Sequence, residues 1–205
     1  MTELLFILGA TGCGKSTLLK ASQETMPNSV GLVEVGKKLR AMYPPDYFQG
    51  SAAPKHTQQL AMKLCDEGIQ ECISQGKSIV LIDGQPRNPE QAHIVIEKYA
   101  SRIDSLRYNC RFLHLFATTE KRRERLIKRD GAKPDVLALA MSRLTGDLPA
   151  LYEVLSILLD FDTSRVLTYN TNNSNYDSEN VLRSLMIFAR STFERTTNVT
   201  DPTKC

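Results

Sequence analysis

Three groups of residues have the types and spacing that phosphate chemistry needs. The first is Gly9-Ala10-Thr11-Gly12-Cys13-Gly14-Lys15-Ser16-Thr17, which fits the pattern G-x-x-x-x-G-K-[ST] in full. Phosphate oxygens need several backbone N–H donors converging on them, and glycines let the backbone bend and approach closely. A helix opening at Lys15 adds a favourable dipole. Lys15 can neutralise β- and γ-phosphate charge, and the Ser16 hydroxyl suits Mg²⁺. A glycine-rich turn that binds nothing is the bland alternative, and the presence of every fixed position argues against it. Cys13 is either a spacer contributing only its N–H or a thiol activated by Lys15 and the helix N-terminus.

The second group is Asp83-Gly84-Gln85-Pro86-Arg87 with Gln91 four residues on. An acidic residue at a strand tip beside a phosphate loop suits Mg²⁺, directly or through water. Arg87, held by Pro86, is placed to grip a second anion. The third group is arginines: Arg40 after another strand end, Arg125 and Arg129 at i and i+4 on one helical face, and Arg143 farther along. Arginine recognises phosphate through a planar fork. Taken singly, each has the character of a solvated surface charge. With Arg87 they number five, and five arginines at strand tips or on helices beside such a turn point to a phosphoryl-transfer centre.

The elements that must position these residues follow from the hydrophobic pattern. Short apolar runs at residues 4–8, 31–35, 79–83, 111–117 and 165–170 predict buried parallel strands. Helical patterns predict helices over 15–25, 57–75, 89–101, 119–128 and about 134–159, the last broken near Gly146 or Pro149. A final helix is expected over about 178–194, packed through Val181, Leu182, Leu185 and Phe188, before a frayed tail. Strands alternating with helices imply right-handed crossovers and a three-layer α/β domain. The expectation is one domain spanning 1–205.

Composition bounds the function. The 205 residues are 41% hydrophobic and 24% charged, with a net charge of +3, which is too small to argue for nucleic acid. The basic run 121–129 is the one stretch that suggests it, and its arginines have a better assignment. No signal peptide or 18-residue apolar run is seen. Five cysteines lack Cys-x-x-Cys pairs, as expected of free thiols in a reducing compartment and not of a zinc site. The sequons at Asn172 and Asn198 are read as chance. A cytoplasmic protein with no membrane partner is expected.

These residues together resemble a nucleoside monophosphate kinase of the P-loop superfamily, and most of all an adenylate kinase of the short-lid type. The similarity covers most of residues 3–170, in the family's order. It implies a P-loop NTPase fold with a five-stranded parallel sheet ordered 2-3-1-4-5, helices on both faces and small mobile flaps. It implies that the loop Gly9–Thr17 with Lys15 holds ATP phosphates, and that Ser16 and Asp83 organise Mg²⁺. Arg40 and Arg87 would bind the acceptor monophosphate, with Gln91 on its base and the backbone near Ala53 touching it. Arg125 would lie on the adenine of ATP, and Arg129 and Arg143 would reach the transferring group. Segment 36–75 would be the acceptor flap and 128–136 a short lid without zinc ligands.

The chain also departs from the family's pattern. Val35 stands where a hydroxyl usually lies near the acceptor base, and Lys37 replaces a carboxylate. Ala132 stands where the lid usually has an arginine just before an acidic pair; Lys133 is its candidate substitute, and Asp135 is the one carboxylate left of that pair. The tyrosine and proline usual after Arg143 are out of register. The expected activity is transfer from MgATP to a nucleoside monophosphate, AMP or dAMP first, by a monomer. The alternatives are a kinase of another (deoxy)nucleotide or small metabolite, and a non-enzymatic ATP-binding regulatory module.

Overall fold

Alternate residues of the first strand face opposite layers, and that alternation organises the domain. The computed structural model describes residues 2–43, 55–101, 108–131 and 133–172. Its strands are β1 (Thr2–Leu8), β2 (Val30–Glu34), β3 (Ile79–Asp83), β4 (Tyr108–Phe116) and β5 (Val166–Asn170). The helices are α1 (Lys15–Thr25), α2 (Val35–Met42), α3 (Lys55–Ser74), α4 (Pro89–Val95), α5 (Thr119–Asp130), α6 (Pro134–Gly146) and α7 (Leu148–Phe161). All strand pairings are parallel, in the order β2-β3-β1-β4-β5. This is the predicted sheet.

Leu4, Phe6 and Leu8 join Val80, Ile82, Cys110 and Phe112 on one face, where α3, α4 and α7 cover them. Leu5 and Ile7 join Leu81, Leu113 and Leu115 on the other, under Leu18 and Leu19 of α1. Covering both faces explains the near-continuous apolar runs. Each large side chain so buried contributes about 1.5–3 kcal/mol. α5 and α6 form a smaller layer through Leu126, Ala140 and Leu144.

Several boundaries differ from the sequence pattern. Val35 was expected to end a strand; it opens α2 and is fully buried. The α4 pattern continues as a π-helical turn, Ile96–Ala100. The long helix breaks at Asp147, beside Gly146 and Pro149 as expected. Of the segment 36–75, α3 is docked in the core through Ala61, Cys65 and Ile69. The predicted helix over 178–194, the tail, Ala53 and Ala132 lie outside the described residues. Among the described residues, no helix is long and apolar enough to cross a membrane.

Candidate active site

The phosphate loop joins β1 to α1, and its turn depends on glycine. Gly9, Gly12 and Gly14 all have positive φ, at 142°, 85° and 103°. Gly12 is also pressed against α5, where an added Cβ would lie 3.0 Å from the Arg122 carbonyl oxygen. Lys15 folds back, its Nζ donating to the carbonyl of Gly9 at 2.5 Å and of Ala10 at 3.3 Å. Its charge is thereby held over the loop, where phosphate oxygens would compete for it. Ser16 and Thr17 are exposed on the first turn of α1. Cys13 is buried among apolar side chains, as suits a spacer, and its Sγ lies 3.9 Å from Lys15 Nζ.

Arg125 braces the loop from beside it. Its Nη1 donates to the Gly12 carbonyl at 3.3 Å and to Thr171 Oγ1 at 3.0 Å, and its Nη2 to the Thr171 carbonyl. Thr171 Oγ1 in turn lies 2.9 Å from the Cys13 carbonyl. On the opposite side, Thr11 Oγ1 donates to Asp147 Oδ2 at 2.9 Å.

The tip of β3 stands between this loop and a second cationic recess. Asp83 pairs in register with Ile7, two residues before the loop, and with Glu34, two residues before Gly36. After Asp83 the chain turns through Gly84 and the cis Gln85–Pro86 bond into Arg87. The N-cap side chain of Asn88 accepts from Gln91 N at 2.9 Å, and Pro89 starts α4. Gln91 Oε1 accepts from Arg87 N at 2.8 Å, and Arg87 Nε donates to the Gly84 carbonyl at 3.1 Å. The arginine is thus aimed by its own turn.

Arg40 reaches the same place from α2. A Cβ on Gly36 would lie 3.1 Å from Arg87 Nη2 and 3.2 Å from Arg40 Nη1, so both guanidinia flank one point. Two cations so close repel unless an anion joins them. Arg87 is ringed by protein yet its side chain still faces solvent. That crowding depresses its pKa; Asp83 and Asp147 push it up, and Arg40 and Arg143 push it down. Arg40, Arg87 and Arg143 therefore share one electrostatic neighbourhood.

Asp83 Oδ1 is buried and has no hydrogen-bond partner among the described residues. A buried carboxylate oxygen without a partner is costly, and a hard cation suits it. The donor set of Ser16 and Asp83 fits Mg²⁺ completed by phosphate and water.

Arg129 is turned away from such a cluster. It forms a forked pair with Asp130, Nε to Oδ1 at 2.8 Å and Nη2 to Oδ2 at 2.6 Å, which holds that carboxyl below its ordinary range. Arg143 lies in the last turn of α6. Lys133 is exposed at the N-cap of α6.

Two residues of this neighbourhood were missed by sequence reasoning. Asp147 carries no motif. Arg122 had a signal: it stands four residues before Leu126, on the face that α5 buries together with Asp130. It is 2% exposed.

Known proteins share part of this chain's sequence and its fold. The AAA domain family matches residues 8–138, well over half of the chain. The adenylate kinase of Helicobacter pylori strain 26695 is 34% identical over 95 residues, covering 44% of this chain and 50% of that protein. The adenylate kinase of Wolinella succinogenes is 32% identical over the same shares. The chain thus aligns with about half the length of the curated relatives it matches. A chain in the solved structure of the Pnkp1/Rnl/Hen1 RNA repair complex superposes with a TM-score of 0.54 at 18% identity, over 78% of this chain and 46% of that one. That likeness is one of fold. The chain belongs to the AAA domain family and is kin to the nucleoside monophosphate kinases of the P-loop superfamily.

Proposed function

We propose that this chain moves the γ-phosphoryl of MgATP to a nucleoside monophosphate, AMP or dAMP first in line, giving two diphosphates. The observation that carries the reading is the paired guanidinia of Arg40 and Arg87 flanking one point across β3 from the phosphate loop. A kinase of a neutral hydroxyl compound would not need that pair.

Loop N–H groups and Lys15 hold the donor phosphates, while Arg40 and Arg87 hold the acceptor's. Ser16 and Asp83 would hold Mg²⁺, which would supply positive charge to offset that of the donor oxygens. Arg143, and Arg129 once it leaves Asp130, stabilise charge on the moving group. No side-chain nucleophile is required, because alignment and neutralisation do the work. Closure of the acceptor flap on the α2 side of the docked α3, and of the short lid over 128–136, keeps water from the γ-phosphoryl. We take the working unit to be a cytoplasmic monomer.

A second reading, another base on the acceptor, is favoured by Gln91, whose carboxamide oxygen already accepts from Arg87 N. The test is diphosphate formation from MgATP across AMP, dAMP, GMP, CMP, UMP and dTMP. Selective use of AMP and dAMP supports adenine. Use of another base keeps the mechanism and reassigns the pocket around Val35 and Gln91. Tight ATP binding without any turnover would overturn the kinase reading in favour of a regulatory module.

A further inference from the structure

Arg122 is the largest fully buried side chain of the described residues, yet it sits in a helix whose other arginines keep contact with solvent, Arg125 also bonding the phosphate loop. Burying a guanidinium is unfavourable unless its donors are used. Here Nη1 donates to the Leu144 carbonyl at 2.8 Å and Nη2 to Thr119 Oγ1 at 3.2 Å, while Nε has no partner among the described residues. Both partners are neutral. An apolar side chain of similar length would fill the space beside Leu126 and Leu144 without that desolvation, so stability does not account for an arginine.

The partners' positions do. Leu144 follows Arg143 directly, and its carbonyl belongs to the last turn of α6. Three residues on, Asp147 accepts from Thr11 of the phosphate loop. At its other end, Arg122 is the backbone against which Gly12 packs. One residue therefore forms the wall of the loop and grips the helix end that carries Arg143.

We propose that Arg122 is a positioning residue, which locks the end of α6 to the phosphate loop so that Arg143 is aimed at the transferring phosphoryl group. This rests on the phosphotransfer reading above. Arg122 itself touches no phosphate. It acts by sparing Arg143 a search for its working place, and misplacement of a catalytic group by about 1 Å costs about 100-fold.

The test is a double-mutant cycle with Arg122→Met and Arg143→Met, reading kcat and the KM for ATP separately. The expected result is a kcat about 100-fold lower in Arg122→Met, with KM for ATP within about 3-fold. In the Arg143→Met background the same change is expected to cost less than about 2-fold, because its target is already gone. Equal losses in both backgrounds, or a kcat near that of the unsubstituted protein, would overturn the proposal.

If Arg122→Met does not fold, Arg122→Lys replaces it in the same cycle, since one ammonium cannot reproduce the fork. A second readout does not depend on turnover: hydrogen exchange at the amides of residues 143–151. Arg122→Met or Arg122→Lys is expected to speed exchange there at least about 10-fold while β1 and β3 stay protected. Unchanged exchange would sink the lock even if no acceptor is ever turned over. An unsubstituted protein without turnover but with this exchange response would sink the kinase reading alone.

Discussion

The donor loop and the acceptor recess stand on either side of Asp83 and are built on opposite principles. The loop is made of backbone: three glycines at positive φ, N–H groups at the start of α1, and one lysine folded over its carbonyls. It is braced by Arg125, Thr171 and Asp147. The recess is made of side chains, Arg40 from α2 and Arg87 from the β3 turn, which come from different elements and repel each other. A backbone site is specified by local spacing. A side-chain site needs the fold to bring its parts together, and it leaves room to change what the acceptor carries.

The largest effects should come from breaking each half separately. Lys15→Met is expected to cut turnover about 1,000-fold and to weaken ATP binding as well. Arg87→Ala should cut turnover by a similar factor, about 100- to 1,000-fold, yet leave the Kd for ATP within about 2-fold. Steady-state kinetics with ATP titrations on both variants checks this. A matching loss of ATP affinity in Arg87→Ala would erase the distinction between the two halves.

Gly36→Ala sharpens the comparison at smaller cost. Its new Cβ would crowd both guanidinia at 3.1 and 3.2 Å. The KM for the acceptor is expected to rise about 10-fold while the Kd for ATP is unchanged, since like crowding is worth about 1–2 kcal/mol. Acceptor and ATP titrations of one preparation read both quantities.

How legible these halves were follows the same division. α1 came out at the residues its pattern marks, because Gly14 ends the loop and Met26-Pro27 stops the helix. β3 was equally plain, since an unbroken apolar run needs cover on both faces, whereas the strand order was legible only through the family resemblance. Arg87 and Gln91 were legible through the turn between them. Their mutual bond, Gln91 Oε1 to Arg87 N, was not, as it depends on how the Asn88 cap sets the start of α4.

Val35 misled because a buried β-branched residue after a strand has the composition of more strand. Its helix is apparent only once α3 packs beside it. Arg122 was hidden inside a basic run whose composition reads as solvated. Its burial depends on α6, which is distant in sequence. Asp147 was invisible for the same reason, as the contact with Thr11 spans most of the chain.

The smallest expected effect links the loop to pH. Burial, and then the charge of Lys15, hold the His114 pKa below its ordinary value. A depressed folded pKa means the neutral imidazole is favoured in the fold, so its stabilising contribution is complete above about pH 6.5 and is lost as pH falls below that. The melting temperature should therefore fall more between about pH 7 and pH 5 in the unsubstituted protein than in His114→Gln. ATP should narrow the difference by drawing the charge of Lys15 toward phosphate. Melting curves at both pH values, with and without MgATP, check the sign.

The claim that joins the two halves is that one site takes ATP and the other takes a phosphate already on the acceptor. The most direct measurement follows the labelled γ-phosphoryl of ATP in parallel reactions with a nucleoside monophosphate, with its unphosphorylated nucleoside, and with water alone. Label is expected in the diphosphate, none in the nucleoside, and little free phosphate when no acceptor is present. Label appearing in the nucleoside, or free phosphate released at the same rate whatever is added, would contradict that claim.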